Sequence, residues 1–124
     1  MNLVLWLVAG LLTAVFGTTG ILKLTQSKDH LVRSGITWVE DFSTPAVRGI
    51  GALELLAALA LVLPSAFGTA TRLTPVAALG LVVLMAGAVT IHVRRHEISL
   101  AVGTGLLLLL AAFLAWGRLG PYPL

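Results

Sequence analysis

The chain has 124 residues, of which 58% are hydrophobic and 10% are charged, and its mean hydropathy is +1.03. One small soluble core could not bury this much apolar surface, so the composition excludes an ordinary soluble domain and predicts a polytopic membrane protein. The net charge of +3 does not indicate nucleic acid as a partner, because most basic residues flank apolar segments, where they orient membrane helices. The chain has no cysteine, which excludes disulfides, thiolate metal sites and dithiol relays.

The first apolar stretch, residues 3–24, predicts a spanning helix. No basic segment precedes it and no small-residue cleavage site follows it, which favours a spanning helix over a signal peptide. Thr19 and Lys23 are four residues apart and share one helix face. Lys23 either extends to the interface from the helix end or faces the interior of the bundle.

Residues 27–42 are too polar to span a membrane. Their apolar residues recur at helical spacing among charged ones, which predicts an amphipathic insert of two short helical pieces around Gly35. The insert is expected to lie in the interface or to fold back over the bundle. Trp38 is either an interfacial anchor of this segment or part of a lid.

Three further apolar stretches predict spanning helices over residues 45–63, 75–93 and 98–116. Thr44-Pro45 and Thr74-Pro75 each place a capping hydroxyl before a proline at the first helical position. Pro64 is expected to end the second spanning helix. The composition and these elements predict an all-α fold, an antiparallel four-helix transmembrane bundle forming one domain over residues 1–124.

Glu54 is the most unusual residue of the chain, because it lies inside a spanning segment. It follows Pro45 by about nine residues, or roughly 13 Å, which is near the middle of a bilayer core about 30 Å thick. A charge at that depth costs roughly 2.5 to 3.5 kcal/mol, so we expect Glu54 to face protein and to have a partner. Gly51 and Ala58 share its face and allow another backbone to come close.

The antiparallel arrangement predicts that most polar side chains of the spanning helices meet in one half of the bundle, with Glu54 at its floor. These residues are Lys23, Arg48, Thr90, His92 and Thr104. They would form a pocket that opens to one membrane side, with the amphipathic insert as its cover. Lys28, Arg33, Arg94 and Arg95 lie on that side against Arg72 and Arg118 opposite, so the positive-inside rule predicts that it is cytoplasmic.

Arg48 lies about six residues before Glu54, which places it roughly 120° around the helix, so the two cannot form a standard same-face pair. Glu54 is therefore expected within hydrogen-bonding reach of Lys23, Arg48 or His92. The other two should border the same cavity.

An ordered set of short motifs resembles the DoxX-like family of membrane proteins. The motifs are Gly20-Ile-Leu-Lys23-Leu, Arg48-Gly-Ile-Gly-Ala-Leu-Glu54-Leu, Leu63-Pro64, Leu73-Thr-Pro75 with Ala78-Leu-Gly80-Leu, Gly87-Ala88 with His92, and Gly117-Arg118. The resemblance covers nearly the whole chain and implies a four-helix membrane bundle. Its distant relatives include a subunit of an archaeal thiosulfate:quinone oxidoreductase and an animal assembly chaperone for nicotinic receptors.

Three functions remain open. The first is binding of a lipophilic small molecule, a quinone or a lipid-like compound, in a redox-accessory role. Lys23 and Arg48 would donate to a carbonyl, Thr19, Thr90, Thr104 and Trp38 would line the site, and Glu54 and His92 would relay protons. The second is a non-enzymatic helper or assembly subunit for other membrane proteins, with the ionic cluster as structural glue. The third is a small membrane enzyme that uses Glu54 as a general base.

The expected location is a bacterial inner membrane, with membrane lipids as partners. A second copy of the chain and a membrane or redox protein are the alternatives for a protein partner. The first and second functions require different structures around Glu54. A ligand site needs a cavity of roughly 300 Å³ or more beside it, whereas a purely structural ion pair needs a cation packed directly onto it.

Overall fold

The computed structural model describes residues 1–124 and contains five α-helices and one 3-10 helix. The four long helices are α1 (Asn2–Thr25), α3 (Thr44–Ala66), α4 (Leu73–Arg94) and α5 (Ile98–Leu119). The short helix α2 (Lys28–Arg33) and the 3-10 helix (Thr37–Asp41) form the insert between α1 and α3. All four long helices are long and apolar enough to cross a membrane. The all-helical fold and the insert around Gly35, which has a φ of +100°, are as predicted.

The sequence predicted that Pro64 ends α3. In the structure this helix continues to Ala66. Pro64 has no N–H to donate to the carbonyl of Ala60, four residues earlier in the helix. The hydroxyl of Thr74 donates to that carbonyl instead, at 3.0 Å, and lies 3.2 Å from the Leu61 carbonyl. The vacated acceptor is therefore satisfied from the neighbouring helix, and the helix is not broken.

The starts of α3 and α4 also differ from the predicted caps. The hydroxyl that caps α3 belongs to Ser43, which accepts a hydrogen bond from the backbone N–H of Ala46 at 3.2 Å, whereas Thr44 is already helical. The helix α4 begins at Leu73, so Thr74 is inside its first turn, 1% exposed, and not a cap. Its hydroxyl is used between helices.

The helices α1 and α3 pack most closely where two glycines face each other. A Cβ on Gly51 would lie 2.7 Å from the Cβ of Lys23, and one on Gly20 would lie 2.8 Å from the Gly51 carbonyl oxygen. Farther along, the hydroxyl of Thr13 donates to the carbonyl of Ala58 at 3.0 Å. Later residues of α1 thus contact earlier residues of α3, which is the order of contacts in an antiparallel pair.

The core divides into two parts. Buried residues of all four long helices form the main cluster, which includes Leu5, Leu12, Leu61, Leu81 and Leu114. A smaller cluster of Leu31, Val39 and Val47 packs the insert against α3. The packing is most extensive between α1 and α3 and between α4 and α5, so the bundle consists of two helix pairs. The insert folds back over one end of these pairs.

Candidate functional site

Glu54 and Lys23 form a buried ion pair between α3 and α1. The Nζ atom of Lys23 lies 2.5 Å from Oε1 of Glu54, and their side chains are only 8% and 3% exposed. Thr19, one turn before Lys23 on α1, donates its hydroxyl to Oε2 of Glu54. The Gly20–Gly51 contact sets this geometry, because it brings the backbone of α1 against α3 beside the carboxylate. Both carboxylate oxygens are therefore satisfied by α1.

The ammonium group of Lys23 also contacts the insert. Its Nζ lies 5.3 Å from the centroid of the Trp38 ring, a distance suited to a cation–π interaction. The ammonium makes one hydrogen bond, to Glu54, and its remaining N–H groups have no hydrogen-bond partner in the protein. Trp38 in turn packs edge-on against Phe42, with ring centroids 5.2 Å apart.

A cavity of about 210 Å³ lies beside the ion pair, between the two helix pairs and beneath the insert. Its polar lining residues are Thr19, Lys23, Glu54, His92 and Thr104, and its aromatic ones are Phe16, Trp38 and Phe42. The exposed Gly87 of α4 also lines it, and a Cβ there would meet no atom within 4 Å. The cavity is therefore open at Gly87 toward the surface of the bundle.

Arg48 and Thr90, which the sequence predicted at this site, do not line the cavity. The Nη1 atom of Arg48 donates to the backbone carbonyls of Lys23 and Gln26, at 2.5 and 2.7 Å. Arg48 thus compensates the C-terminal end of α1, where the last carbonyls have no helical partner. Thr90 is exposed and donates to the carbonyl of Ala86 on its own helix. The prediction that Arg48 borders the cavity is wrong, because its guanidinium binds these carbonyls at the end of α1 instead.

His92 and Thr104 line the opposite wall, on α4 and α5. His92 is 6% exposed, and its Nδ1 lies 3.0 Å from Oε1 of Glu97, just beyond the end of α4. Its Nε2 has no hydrogen-bond partner in the protein. Every fully buried polar side-chain atom does have a partner, so Nε2 is not fully buried and remains accessible. Thr104 donates to the carbonyls of Leu100 and Ala101. Its oxygen keeps free acceptor capacity.

Glu97 is a site residue that the sequence did not indicate. It follows the end of α4, and the cluster around it looked like ordinary interfacial charge. A residue five positions after a histidine is not on the same helix face, so helical spacing gives no signal for this pair. The pairing depends on the left-handed His96, whose φ of 58° turns the chain back after α4.

The insert is fastened over the cavity by Glu97 and Arg95. The hydroxyl of Thr37 donates to Oε2 of Glu97 at 2.5 Å, while Arg95 bonds Asp41 at 2.5 Å and Glu40 at 2.9 Å. Thr37, Glu40 and Asp41 all belong to the 3-10 helix, which also carries Trp38. This helix is hereafter called the lid. Trp38 of the lid faces the cavity, and the other three side chains bind residues of the loop between α4 and α5.

Glu97 has a lowered pKa because its carboxylate accepts hydrogen bonds from Thr37 and then His92, and because the positive charge of Arg95 lies beside it. A carboxylate whose pKa is lowered in the folded state stabilises the fold at pH values above its ordinary pKa of 4.5. That contribution is lost as the pH falls through the lower folded-state pKa. The attachment of the lid should therefore be intact at neutral pH and weaken in acid.

Arg95→Gln should loosen the lid. The partners Glu40 and Asp41 are more than half exposed, so solvent screens both ion pairs and global stability should change little. In a protein that keeps Trp38 as its single tryptophan, emission should shift to the red and become more accessible to acrylamide. Arg94→Gln, at an exposed position with no side-chain partner, is the matched control. Equal behaviour of the two variants would contradict the attachment.

The site offers a defined set of free groups: spare ammonium N–H groups on Lys23, the Nε2 of His92 and the acceptor lone pairs of Thr104. The aromatic rings of Phe16, Trp38 and Phe42 supply flat apolar walls. These groups can hold a compact ring that carries an oxygen acceptor. No group of three or more acidic or histidine side chains is placed to hold a metal ion.

Comparison with known proteins gives one match. The family model of the DoxX-like family matches residues 7–115, which is most of the chain and includes every residue described above at the cavity and the lid. No curated protein and no solved structure matches the chain significantly.

Proposed function

From the fact that the chain belongs to the DoxX-like family and is an integral membrane protein, we propose that its cavity binds the ring-shaped head of a lipophilic small molecule, with a quinone or a related phenol as the best-fitting class. The observation that carries this proposal is a cavity in the membrane-embedded part that combines unpaired polar groups with aromatic walls. Such a combination is typical of sites for small organic ligands.

The size of the cavity limits which part of the ligand it can hold. Its volume of about 210 Å³ is below that of most complete ligand sites, which begin at roughly 300 Å³. It exceeds the roughly 150 Å³ of a cavity known to bind benzene in another protein. A single ring therefore fits, but a long tail does not. Such a tail would leave through the opening at Gly87 and lie against lipid.

The polar groups match the two ends of such a ring. A free N–H of Lys23 would donate to one ring oxygen, and the Nε2 of His92 would face another, as donor or acceptor according to its tautomer. Glu54 would hold the ammonium in position through their ion pair. A quinone supplies reversible uptake of two electrons and two protons. The electrons would come from a cofactor or from a partner redox protein, because the chain has no cysteine for a dithiol relay.

Quenching of tryptophan fluorescence by decylubiquinone tests this proposal. The variant W6F/W116F keeps only Trp38, whose ring lines the cavity. We expect decylubiquinone to quench it saturably. The variant W38F/W116F keeps only Trp6, outside the cavity, and should show only the linear quenching that partitioning into the micelle causes. If quenching does not saturate in either variant, the proposal is wrong.

The opening at Gly87 provides a second test in the Trp38 reporter. Gly87→Leu should weaken the binding of decylubiquinone by roughly tenfold or more, because overlap with a ligand tail costs about 1 to 3 kcal/mol. The protein should remain at least as stable, since leucine favours helix over glycine by roughly 0.5 to 1 kcal/mol. Gly80→Leu is the matched control. Gly80 is also exposed on α4 with no atom near its Cβ position, but it lines a separate groove.

A second candidate function is a helper that packs against other membrane proteins, with the ion pair as internal glue. The observation that favours it is the direct contact of Lys23 with Glu54, together with the use of Arg48 on backbone carbonyls. Both features would hold the helices together without any ligand. The variants of Glu54 described in the Discussion test whether the ion pair serves only the fold or also the ligand.

We further propose that the protein resides in a bacterial plasma membrane with its lid side in the cytoplasm. Lys28, Arg33, Arg94 and Arg95 on the lid side outnumber Arg72 and Arg118 opposite. A reporter fused to the C-terminus should then be active as alkaline phosphatase and dark as green fluorescent protein. The reverse pattern would place the lid outside the cell.

A further inference from the structure

Arg118 lies at the end of the bundle opposite the lid, and it is unusually buried for an arginine. It is 5% exposed, near the end of α5. Its Nη1 donates to Oδ1 of Asn2 at 2.6 Å and to the backbone carbonyl of Tyr122 at 3.1 Å. Its guanidinium also lies over the ring of Trp6, 5.7 Å from the centroid. The guanidinium is thus held by the start of α1 and by the segment that follows α5.

The fixed position follows from how α1 packs on α5. Gly117 faces Leu5 so closely that a Cβ on the glycine would lie 2.7 Å from the leucine side chain. This contact brings the start of α1 beside the end of α5, and with it Asn2 and Trp6. The chain after α5 turns back through a hydrogen bond from the N–H of Tyr122 to the Gly117 carbonyl, at 2.8 Å.

No acidic side chain compensates this charge. Arg118 forms no ion pair, and the five acidic residues of the chain all lie in the lid half: Asp29, Glu40, Asp41, Glu54 and Glu97. The carbonyls at the end of α5 supply only about half an elementary negative charge. A buried guanidinium without a full counter-charge is costly, because both of its compensating partners here are neutral.

The free edge of the guanidinium is the edge that binds oxyanions. Nε and Nη2 have no hydrogen-bond partner in the protein. Every fully buried polar side-chain atom of the protein does have a partner, so these two nitrogens are not fully buried and remain accessible from the surface. Nε and Nη2 lie side by side and can donate two parallel hydrogen bonds to one phosphate or carboxylate. The other corner is already held, so little side-chain entropy remains to be lost on binding.

We infer that Arg118 is a binding site for the phosphodiester of an anionic phospholipid. The position at the end of a spanning helix, with Trp116 and Tyr122 beside it, puts the free edge at the depth of lipid headgroups. A phosphate there supplies the missing counter-charge and accepts both free N–H groups. This site is on the opposite side of the bundle from the cavity and does not depend on the function proposed for it.

Native mass spectrometry of the purified protein in detergent tests this site. Dioleoylphosphatidylglycerol is titrated against the original protein, Arg118→Gln and Arg72→Gln. Arg72→Gln is the matched control, because Arg72 is exposed and its substitution removes the same charge from the protein. We expect one phosphatidylglycerol to be retained by the original protein and by Arg72→Gln. Arg118→Gln should bind it at least about tenfold more weakly, the effect of losing charge-assisted hydrogen bonds.

Further arms keep the outcome decisive. Arg118→Lys retains the charge, so it covers the case in which Arg118→Gln does not fold; it should also lose about tenfold in affinity, because an ammonium cannot form the two parallel bonds. Dioleoylglycerol, which lacks the phosphate, should not be retained. Inorganic phosphate should not displace the lipid; displacement would show a free-phosphate site and overturn the lipid assignment. Affinity unchanged in both Arg118 variants, or lost equally in Arg72→Gln, would overturn the site itself.

Discussion

Replacing Glu54 with glutamine should destabilise the protein by about 3 to 5 kcal/mol, because it leaves the buried ammonium of Lys23 without a counter-charge. Glutamine has nearly the same shape as glutamate, so the loss reports charge and not packing. The side chain of Lys23 is 8% exposed and has no second carboxylate within reach. The loss is measured as a lowered unfolding midpoint in detergent. An unchanged midpoint would show that the ion pair contributes nothing to the fold.

The double variant K23M/E54M should recover most of this stability. Removing both charges leaves no buried ion between α1 and α3, and apolar side chains of similar volume often replace a buried pair with no loss. The same double variant separates the two candidate functions. If the cavity binds a quinone head, it should be stable but should lose the saturable quenching of Trp38 by decylubiquinone. If it is stable and still binds, the ligand does not use the pair, which then serves the fold alone; absence of saturable quenching already in the Trp38 reporter with Lys23 and Glu54 intact would favour the helper.

Gly51→Ala should destabilise the contact between α1 and α3. The new Cβ would lie 2.7 Å from the Cβ of Lys23 and 3.0 Å from the carbonyl oxygen of Gly20. Both neighbours belong to the backbone or to the first carbon of a side chain, so neither can rotate away. The helices α1 and α3 must separate, which costs about 1 to 3 kcal/mol and pulls Lys23 from Glu54.

Gly49→Ala is the matched control, two residues earlier on α3. Gly49 is exposed and has no atom within 4 Å of its Cβ position. Alanine there should stabilise the helix, by up to about 1 kcal/mol. The comparison is made by thermal unfolding of the two variants side by side. If Gly51→Ala is as stable as Gly49→Ala, the close contact of the two helices does not determine the position of the ion pair.

The sequence alone determined the helices of this protein and the direction in which Glu54 faces. Four apolar stretches of membrane-spanning length can only be helices, because lipid offers no hydrogen-bond partner to a free backbone. Glu54 shares a helical face with Gly51 and Ala58, so its burial against a neighbouring helix follows from periodicity. Lys23 was one of three predicted partners, and the close glycine contact selected it. The family was also recognisable, from motifs spread along the chain.

The tertiary structure decided which polar groups meet. Arg48 binds carbonyls at the end of α1, Thr74 binds the carbonyl that Pro64 leaves free, and Glu97 joins His92 to the lid. Each of these contacts joins a side chain to an acceptor from another element, or to one past a helix end. Helical periodicity relates residues only within one helix, and it carries no information on which carbonyls lack partners. Those contacts are set by the distance between packed helices, which depends on the whole bundle.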